Sequence, residues 1–176
     1  MRRYGPILTV FTAVFLQSAG TAQACGDKFL MVGRGVKFQR AYAAIHPASI
    51  VIFAQPQRHA AKAIRDPRLQ SDLKLAGHRV VLVDNDAALA RALESDKVDL
   101  VLTDVADADR TSKQGAASPS KPTVLPVMYE PTREETKEIE ARYQCRLKSS
   151  DRADRYLVTI DDAMKTRADQ RKKKTS

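Results

Sequence analysis

The segment from Gly77 to Asp104 constrains the fold of this chain more than any other, because it has the pattern of a strand, a helix and a second strand. Residues 80–83 form a short aliphatic run, as expected of a strand covered on both faces. Asp86 can cap a following helix, in which apolar residues recur at intervals of three and four. Residues 98–102 form a second buried run that leads to Asp104. Two parallel strands joined by a crossover helix build open α/β sheets, so the segment predicts the α/β class.

The same alternation of strands and helices extends over most of the chain. Apolar runs bounded by turn residues predict five strands, at 49–54, 80–83, 98–102, 123–128 and 144–148. About five helices are expected between and after them. We therefore predict an open, parallel five-stranded sheet with strand order 2-1-3-4-5 and helices on both faces. An extra N-terminal strand at 28–32 and an extra helix at 36–45 are compatible with the same pattern.

Helix boundaries give the clearest local signals. Asp66 followed by Pro67 predicts a helix start, and Gly77 predicts the end of the same helix. Thr132 with Glu135 fits a capping box, so a charged helix is expected to begin there.

The remaining helices are less distinct in the sequence. Residues 57–65 are basic and rich in alanine, which predicts a loop or a ragged helical turn. Residues 105–113 predict only a short, polar helix. Ser150 or Asp151 is expected to cap a final helix, whose apolar stripe includes Tyr156.

The segment that begins at Gly77 also resembles the β2-α2-β3 segment of response-regulator receiver domains. That receiver segment has a glycine before a valine-containing strand, a polar turn, a helix with recurring Ala and Leu, and a strand that reads D-L-V-L-x-D. The matching residues are Gly77, His78, Val80, Asp84, Asn85, Asp86, Ala88, Leu89, Leu93, Asp99, Leu100, Val101, Leu102 and Asp104. A weaker similarity extends over residues 49–170. The resemblance implies a flavodoxin-like fold.

The resemblance covers only part of the receiver active site. Receivers phosphorylate an aspartate at the end of the third strand, where Asp104 stands, and Lys148 matches their lysine after the fifth strand. Residues 54–56 read Ala-Gln-Pro, however, and replace the acidic pair that holds Mg²⁺ in receivers. Met128 and Tyr129 stand where a Thr or Ser is expected. We therefore predict that Asp104 caps a helix and that Lys148 pairs with it, rather than that either serves phosphotransfer.

Ligands of open α/β sheets bind beyond the carboxyl ends of the strands. The predicted ligand rim is therefore formed by residues that follow the strands: Gln55, Asp104, Tyr129, Glu130, Lys148 and Ser149. The stretch from Gly33 to Gly35 adds a weak candidate anion cradle. No catalytic triad, zinc-ligand spacing or dinucleotide fingerprint is readable. We therefore predict a non-enzymatic protein without a metal or a cofactor.

The first 24 residues have the features of a secretory signal peptide. Arg2 and Arg3 provide the positive start, and residues 7–16 form an apolar stretch that is short for a bilayer span. Residues 22–24 read Ala-Gln-Ala, which is typical of a cleavage site and would leave Cys25 as the first mature residue. The expected location is periplasmic or secreted. A short N-terminal anchor helix is the alternative.

The chain contains two cysteines, Cys25 and Cys145. In an exported protein they are expected to form a disulfide, which would close a loop of about 120 residues and add ~4 kcal/mol of stability. Lipidation of Cys25 is an alternative and would make the protein a lipoprotein. Two free thiols are the third option.

Four parts of the chain are expected: a signal peptide (1–24), an N-terminal extension packed on the domain (25–48), a receiver-like domain (49–168) and a basic, disordered tail (169–176). The net charge of +9 is compatible with anionic partners. Aromatic residues make up only 6% of the chain and Trp is absent, which argues against nucleic-acid binding. Membrane contact is expected only through a lipid on Cys25 or through the basic tail.

These observations lead to one expected function and two alternatives. The sequence predicts an exported, non-enzymatic, receiver-like module with an unknown protein partner or a structural role in the cell envelope. The first alternative is a periplasmic protein that binds a small molecule or an anion at the ligand rim. An active phospho-receiver is the second, and it requires that residues 1–24 are not a signal.

Overall fold

The computed structural model of this chain describes residues 43–95 and 97–175. The predicted signal peptide, Cys25, the stretch from Gly33 to Gly35 and the predicted strand at 28–32 lie outside the described residues. Residues 36–42 of the predicted helix at 36–45 lie outside them as well, and residues 43–45, which are described, are not helical. None of the described helices combines the length and the apolar character needed to cross a membrane.

Five strands and six helices alternate along the described chain. The strands are β1 (Ser49–Phe53), β2 (Arg79–Val83), β3 (Leu100–Asp104), β4 (Thr123–Met128) and β5 (Leu147–Lys148). The helices are α1 (Ala61–Ile64), α2 (Pro67–Leu75), α3 (Asp86–Leu93), α4 (Val105–Ala117), α5 (Arg133–Arg142) and α6 (Ala153–Thr175). All pairings are parallel and the strand order is β2-β1-β3-β4-β5. The predicted α/β class and strand order 2-1-3-4-5 are confirmed, and the fold is compatible with the flavodoxin-like class.

Two hydrophobic clusters pack against opposite faces of the sheet. Alternate residues of β1 separate them, because Ile50 and Ile52 belong to one cluster whereas Val51 and Phe53 belong to the other. The first cluster includes apolar residues of α1, α2 and α6, and the second includes those of α3. All five residues of β3 are buried, as expected of a central strand covered on both faces. Asp104 is therefore the last residue of a fully buried strand.

Both predicted boundaries of α2 are confirmed. The side chain of Asp66 accepts a hydrogen bond from the backbone N–H of Arg68 at 2.8 Å, and Pro67 occupies the first helical position. At the other end Gly77 has φ +100°, a conformation that suits glycine. The backbone N–H of His78 donates to Leu73 O and that of Gly77 to Lys74 O, at 3.1 and 3.0 Å. These two bonds form a Schellman motif, which ends the helix.

The start of α3 and the length of α4 differ from the sequence prediction. Asn85, not Asp86, caps α3: it has extended backbone angles and its side chain accepts from the N–H of Ala88 at 2.9 Å. Asp86 is already helical. Helix α4 continues to Ala117, and its buried face consists of small or polar residues, Asp107, Ala108, Thr111 and Gly115, so apolar periodicity alone does not reveal its length. The capping box at the start of α5 is confirmed.

Strand β5 contains two residues, whereas the sequence predicted five. The backbone carbonyl of Met128 accepts from Ser149 N on the β5 side. Because alternate residues of a strand face the same neighbour, Pro126 also faces β5, where it has no N–H to donate. The β4–β5 ladder begins only after this proline, at Val127 opposite Leu147.

Helix α6 is continuous from Ala153 to Thr175. Arg171 to Lys173 form its exposed last turns, where the sequence predicted a disordered tail that begins at residue 169. Farther back along α6, Asp161 is buried and its carboxylate accepts the backbone N–H groups of Ile45 and His46, at 3.2 and 3.0 Å. The described end of the predicted extension is thereby attached to the domain.

His78 joins the same region to the sheet. Its side chain is buried and Nδ1 accepts the backbone N–H of Ala48 at 3.1 Å. Burial lowers the pKa of His78 below the ordinary value of 6.5, and the nearby Asp161 carboxylate opposes part of that shift. The neutral ring is the form that can accept this hydrogen bond.

Candidate functional site

The carboxyl ends of the five strands form one edge of the sheet. The register places Phe53 beside Val83 and Thr103, and Asp104 beside Val127. All six residues of the predicted ligand rim follow or end these strands, but they do not form a single site. Gln55 and Asp104 are buried, Tyr129, Glu130 and Lys148 are exposed, and Ser149 is half-buried.

Both carboxylate oxygens of Asp104 accept hydrogen bonds from backbone N–H groups. Oδ1 accepts the N–H of Ala106 at 2.9 Å and so caps α4. Oδ2 accepts the N–H of Ala60 at 2.9 Å, which attaches the loop after β1 to the end of β3. Only 4% of the residue is exposed. The predicted capping role is confirmed, whereas no ion pair joins Lys148 to Asp104 within the described residues.

A network of ion pairs surrounds Asp107, which is 1% exposed and lies one helical turn after Asp104. Arg58 grips its carboxylate with two parallel bonds, Nε to Oδ2 at 2.8 Å and Nη2 to Oδ1 at 2.6 Å. Arg110 donates to Asp107 Oδ1 at 2.8 Å and to Asp86 Oδ2 at 2.6 Å. The hydrogen bonds with Asp107 raise the pKa of Arg58 above its ordinary value. The carboxylates of Asp86 and Asp107 are therefore neutralised within the chain.

The sequence did not predict this network. Arg58 lies in a stretch that was expected to be a loop or a ragged helical turn, and Asp107 and Arg110 lie in a helix that was expected to be short. The spacing of three between Asp107 and Arg110 is compatible with a helical pair, and it is the only local signal. The bidentate contact from Arg58 joins residues that are far apart in sequence, so it depends on the fold.

Gln55 completes the polar edge. Its Nε2 lies 3.5 Å from Asp86 Oδ1, and its Oε1 accepts from Gln57 Nε2 at 3.0 Å. Gln55 lies where a receiver has its acidic pair, but an amide that is held in this way brings no charge to the site. Asp104, which stands where a receiver has its phospho-acceptor, is 4% exposed, and each of its oxygens already accepts a backbone N–H. This edge therefore does not fit the Mg²⁺ site of a receiver.

No cluster of three or more His, Cys, Asp or Glu side chains that could hold a metal ion occurs in the described ranges, 43–95 and 97–175. Cys145 is buried in the first hydrophobic cluster. Its predicted disulfide partner, Cys25, lies outside those ranges, so the pairing stays a prediction.

A groove of about 740 Å³, which we call the basic groove, opens beside this edge. Its lining includes Arg58, His59, Lys62, Arg65, Tyr129 and Ser149. Two of these, Tyr129 and Ser149, belong to the predicted ligand rim. Lys148 lies along a different groove, with Arg146 and Asp151.

Most of the basic groove comes from the loop after β1 and from α1, the stretch for which the sequence predicted a loop or a ragged helical turn. Arg58, Lys62 and Arg65 have the spacing i, i+4 and i+7, which would place them on one face of a helix. Backbone hydrogen bonds make a series of tight turns here, from Arg58 N to Gln55 O and from Ala61 N to Arg58 O. That spacing was the signal that could have identified the groove.

The aromatic side of the basic groove is formed by Tyr129 and His59. Their rings are stacked, with centroids 5.6 Å apart and an interplanar angle of 27°. Tyr129 is followed by Glu130, which has φ 42° in the left-handed region. The turn at Glu130 redirects the chain immediately after Tyr129.

The geometry thus describes a flavodoxin-like α/β fold in which Asp86 and Asp107 are paired with arginines, Asp104 binds backbone N–H groups, and the neighbouring groove is basic. Comparisons of the chain with protein-family models, with curated proteins and with solved structures found no match.

Proposed function

We propose that this chain is an exported, non-enzymatic, receiver-like module that binds a protein partner or has a structural role in the cell envelope. The observation that supports the non-enzymatic part most directly is the state of Asp104. A phospho-acceptor needs a carboxylate oxygen that a phosphodonor can reach, whereas Asp104 is 4% exposed and each of its oxygens already accepts a backbone N–H.

The surroundings of Asp104 support the same conclusion. Phosphoryl transfer requires cations that neutralise the charge developing on the phosphoryl group, and receivers use Mg²⁺ held by acidic residues for this purpose. Here Asp107 and Asp86 are paired with guanidinium groups, and residues 54–56 provide no carboxylate. The polar groups of this edge hold α4 and the loop after β1 in place.

The export part of the proposal comes from residues 1–24 and from the two cysteines. We propose that cleavage leaves Cys25 at the N-terminus and that Cys25 pairs with the buried Cys145. Such a bridge would fasten the N-terminal extension to the end of the sheet where β5 begins.

Intact mass, with and without reductant, of the protein taken from its native envelope fraction tests this part. The proposal predicts a chain that begins at Cys25 and gains two hydrogens on reduction. Acyl chains on Cys25 would replace the bridge with a lipid anchor. A full-length chain that begins at Met1 would contradict export.

Size-exclusion chromatography of the same native fraction tests the partner. A protein-bound module should elute ahead of the purified chain, and the shift should survive detergent that dissolves membranes. Elution at the position of the purified chain would contradict a stable protein partner.

The second candidate function, binding of an anion at the strand-end rim, is favoured by the basic groove. Its lining contains three permanently or predominantly cationic side chains, Arg58, Lys62 and Arg65, and one carboxylate, Asp66. Compared with the predicted rim, this site keeps Tyr129 and Ser149.

A further inference from the structure

The basic groove is rich in hydrogen-bond donors and poor in acceptors. Lysine and arginine side chains only donate, and the hydroxyls of Tyr129 and Ser149 can donate as well. The one lining carboxylate, Asp66, already accepts the N–H of Arg68 as the cap of α2. A ligand that complements these groups must be rich in acceptor oxygens and negatively charged.

The cationic groups are available to such a ligand. The side chain of Lys62 is exposed, and it makes no hydrogen bond or ion pair with another described residue. Arg65 donates one bond, from Nη1 to the carbonyl of Ala54, at 3.4 Å. Arg58 uses two of its five N–H donors on Asp107, which leaves three.

Several of these groups are also held in position. The bidentate contact with Asp107 fixes the plane of the Arg58 guanidinium, and the bond from Ala60 N to Asp104 fixes the loop that bears Arg58 and His59. Held donors lose less freedom on binding than mobile ones, so they bind a ligand more tightly. The structural carboxylates of the edge therefore also position the groove.

We propose that the basic groove binds the phosphate groups of a small ligand, of the size of a diphosphate or a phosphate monoester. This inference rests on the second candidate function and adds the ligand class to it. Lys62 and Arg65 have no carboxylate partner among the described residues, whereas Arg58 shares its charge with Asp107, so the lining keeps a net positive charge that suits an oxyanion. Guanidinium and ammonium groups are the side chains that proteins use to bind phosphate. The volume of about 740 Å³ is in the range of small-molecule sites.

Inorganic pyrophosphate is the probe. We expect saturable binding to the purified chain by isothermal titration calorimetry in a buffer without phosphate or sulfate. The change Lys62→Gln should weaken the binding at least about tenfold, because it removes a charge-assisted hydrogen bond. It should leave the melting temperature unchanged, since the side chain is exposed. Lys74→Gln is the matched control: Lys74 is also exposed, but it lies near the end of α2 outside the groove.

Amide chemical-shift changes on titration with pyrophosphate locate the site. Shifts confined to residues of the basic groove support the inference, and equal weakening by Lys62→Gln and Lys74→Gln would overturn it. Shifts confined to the groove around Arg146 and Asp151 would overturn the inference but keep anion binding as a function. Absence of saturable binding would refute both phosphate binding by the basic groove and anion binding as a function. The chromatographic test of the protein partner would be unaffected.

A second titration identifies the source of the phosphate. If the phosphate belongs to a lipid headgroup, the protein should sediment with vesicles that contain phosphatidic acid, and added pyrophosphate should release it. Pyrophosphate binding without sedimentation assigns the groove to a soluble phosphate compound. Sedimentation that persists in Lys62→Gln would contradict binding of lipid phosphate by the groove.

Discussion

Because Asp104 binds two backbone N–H groups, we predict that replacing it destabilises the protein. In Asp104→Ala, α4 loses its N-cap, which costs about 0.5–2 kcal/mol in other helices. The N–H of Ala60 also loses its only observed acceptor in a buried position, which costs about 1–3 kcal/mol. Together we expect a loss of about 2–4 kcal/mol in the free energy of unfolding.

Urea unfolding at neutral pH measures this loss, and two further variants make it specific. Asp104→Asn keeps one acceptor oxygen but introduces an N–H₂ group beside a backbone donor, so an intermediate loss is expected. Asp169→Ala removes an exposed carboxylate of α6, at the opposite end of the sheet, and should change stability by less than about 0.5 kcal/mol. Stabilisation by Asp104→Ala would refute the reasoning, because it is typical of a strained functional carboxylate.

Three further predictions concern other buried groups. Asp107→Ala leaves Arg58 without its bidentate partner and should lower the free energy of unfolding in urea by about 2–3 kcal/mol. The loss is expected to be smaller than in a fully buried pair because the guanidinium is partly exposed. A loss as small as that of Asp169→Ala would contradict this prediction. Because the pKa of His78 is lower in the folded chain, His78 is protonated at a higher pH in the unfolded chain than in the folded one as the pH falls. The stability contributed by neutral His78 is therefore present above about pH 6.5 and is lost as the pH falls toward the folded pKa. His78→Asn keeps a hydrogen-bond acceptor and does not titrate. Its free energy of unfolding in urea should therefore decline less between about pH 7.5 and about pH 5 than that of the unchanged protein, and equal declines would contradict the account. Cys145→Ser should lower the stability of the oxidised mature chain by about 4 kcal/mol and have much less effect under reducing conditions, and an equal effect in both would remove the predicted bridge.

The sheet could be predicted from sequence because its strands are short, apolar and separated by strong local signals. Asp66, Pro67 and Gly77 act through neighbouring backbone groups, so their roles are readable without the fold. The cap of α3 was misassigned by one residue, since Asn85 and Asp86 are both good caps and only the backbone angles distinguish them. The length of β5 depends on whether Pro126 faces β3 or β5. Only the pairing of β4 with β5 in the folded sheet shows this.

The site was predicted less well, for a physical reason. Asp104 could be identified as a cap because its partner, Ala106, is local. The bonds from Ala60 to Asp104 and from Arg58 to Asp107 cross 44 and 49 residues, and no local pattern specifies them. The rule that ligands bind beyond the carboxyl ends of the strands grouped Lys148 with Tyr129 and Ser149, but Lys148 lines a different groove from those two residues.

The central claim is that Asp104 holds the fold together and does not accept a phosphoryl group. Incubation of the purified chain with acetyl phosphate and Mg²⁺, followed by intact mass spectrometry, tests it most directly, with an active receiver domain as the positive control. The account predicts that the control gains one phosphoryl group and that this chain gains none. A Mg²⁺-dependent phosphoryl gain that disappears in Asp104→Asn would contradict it.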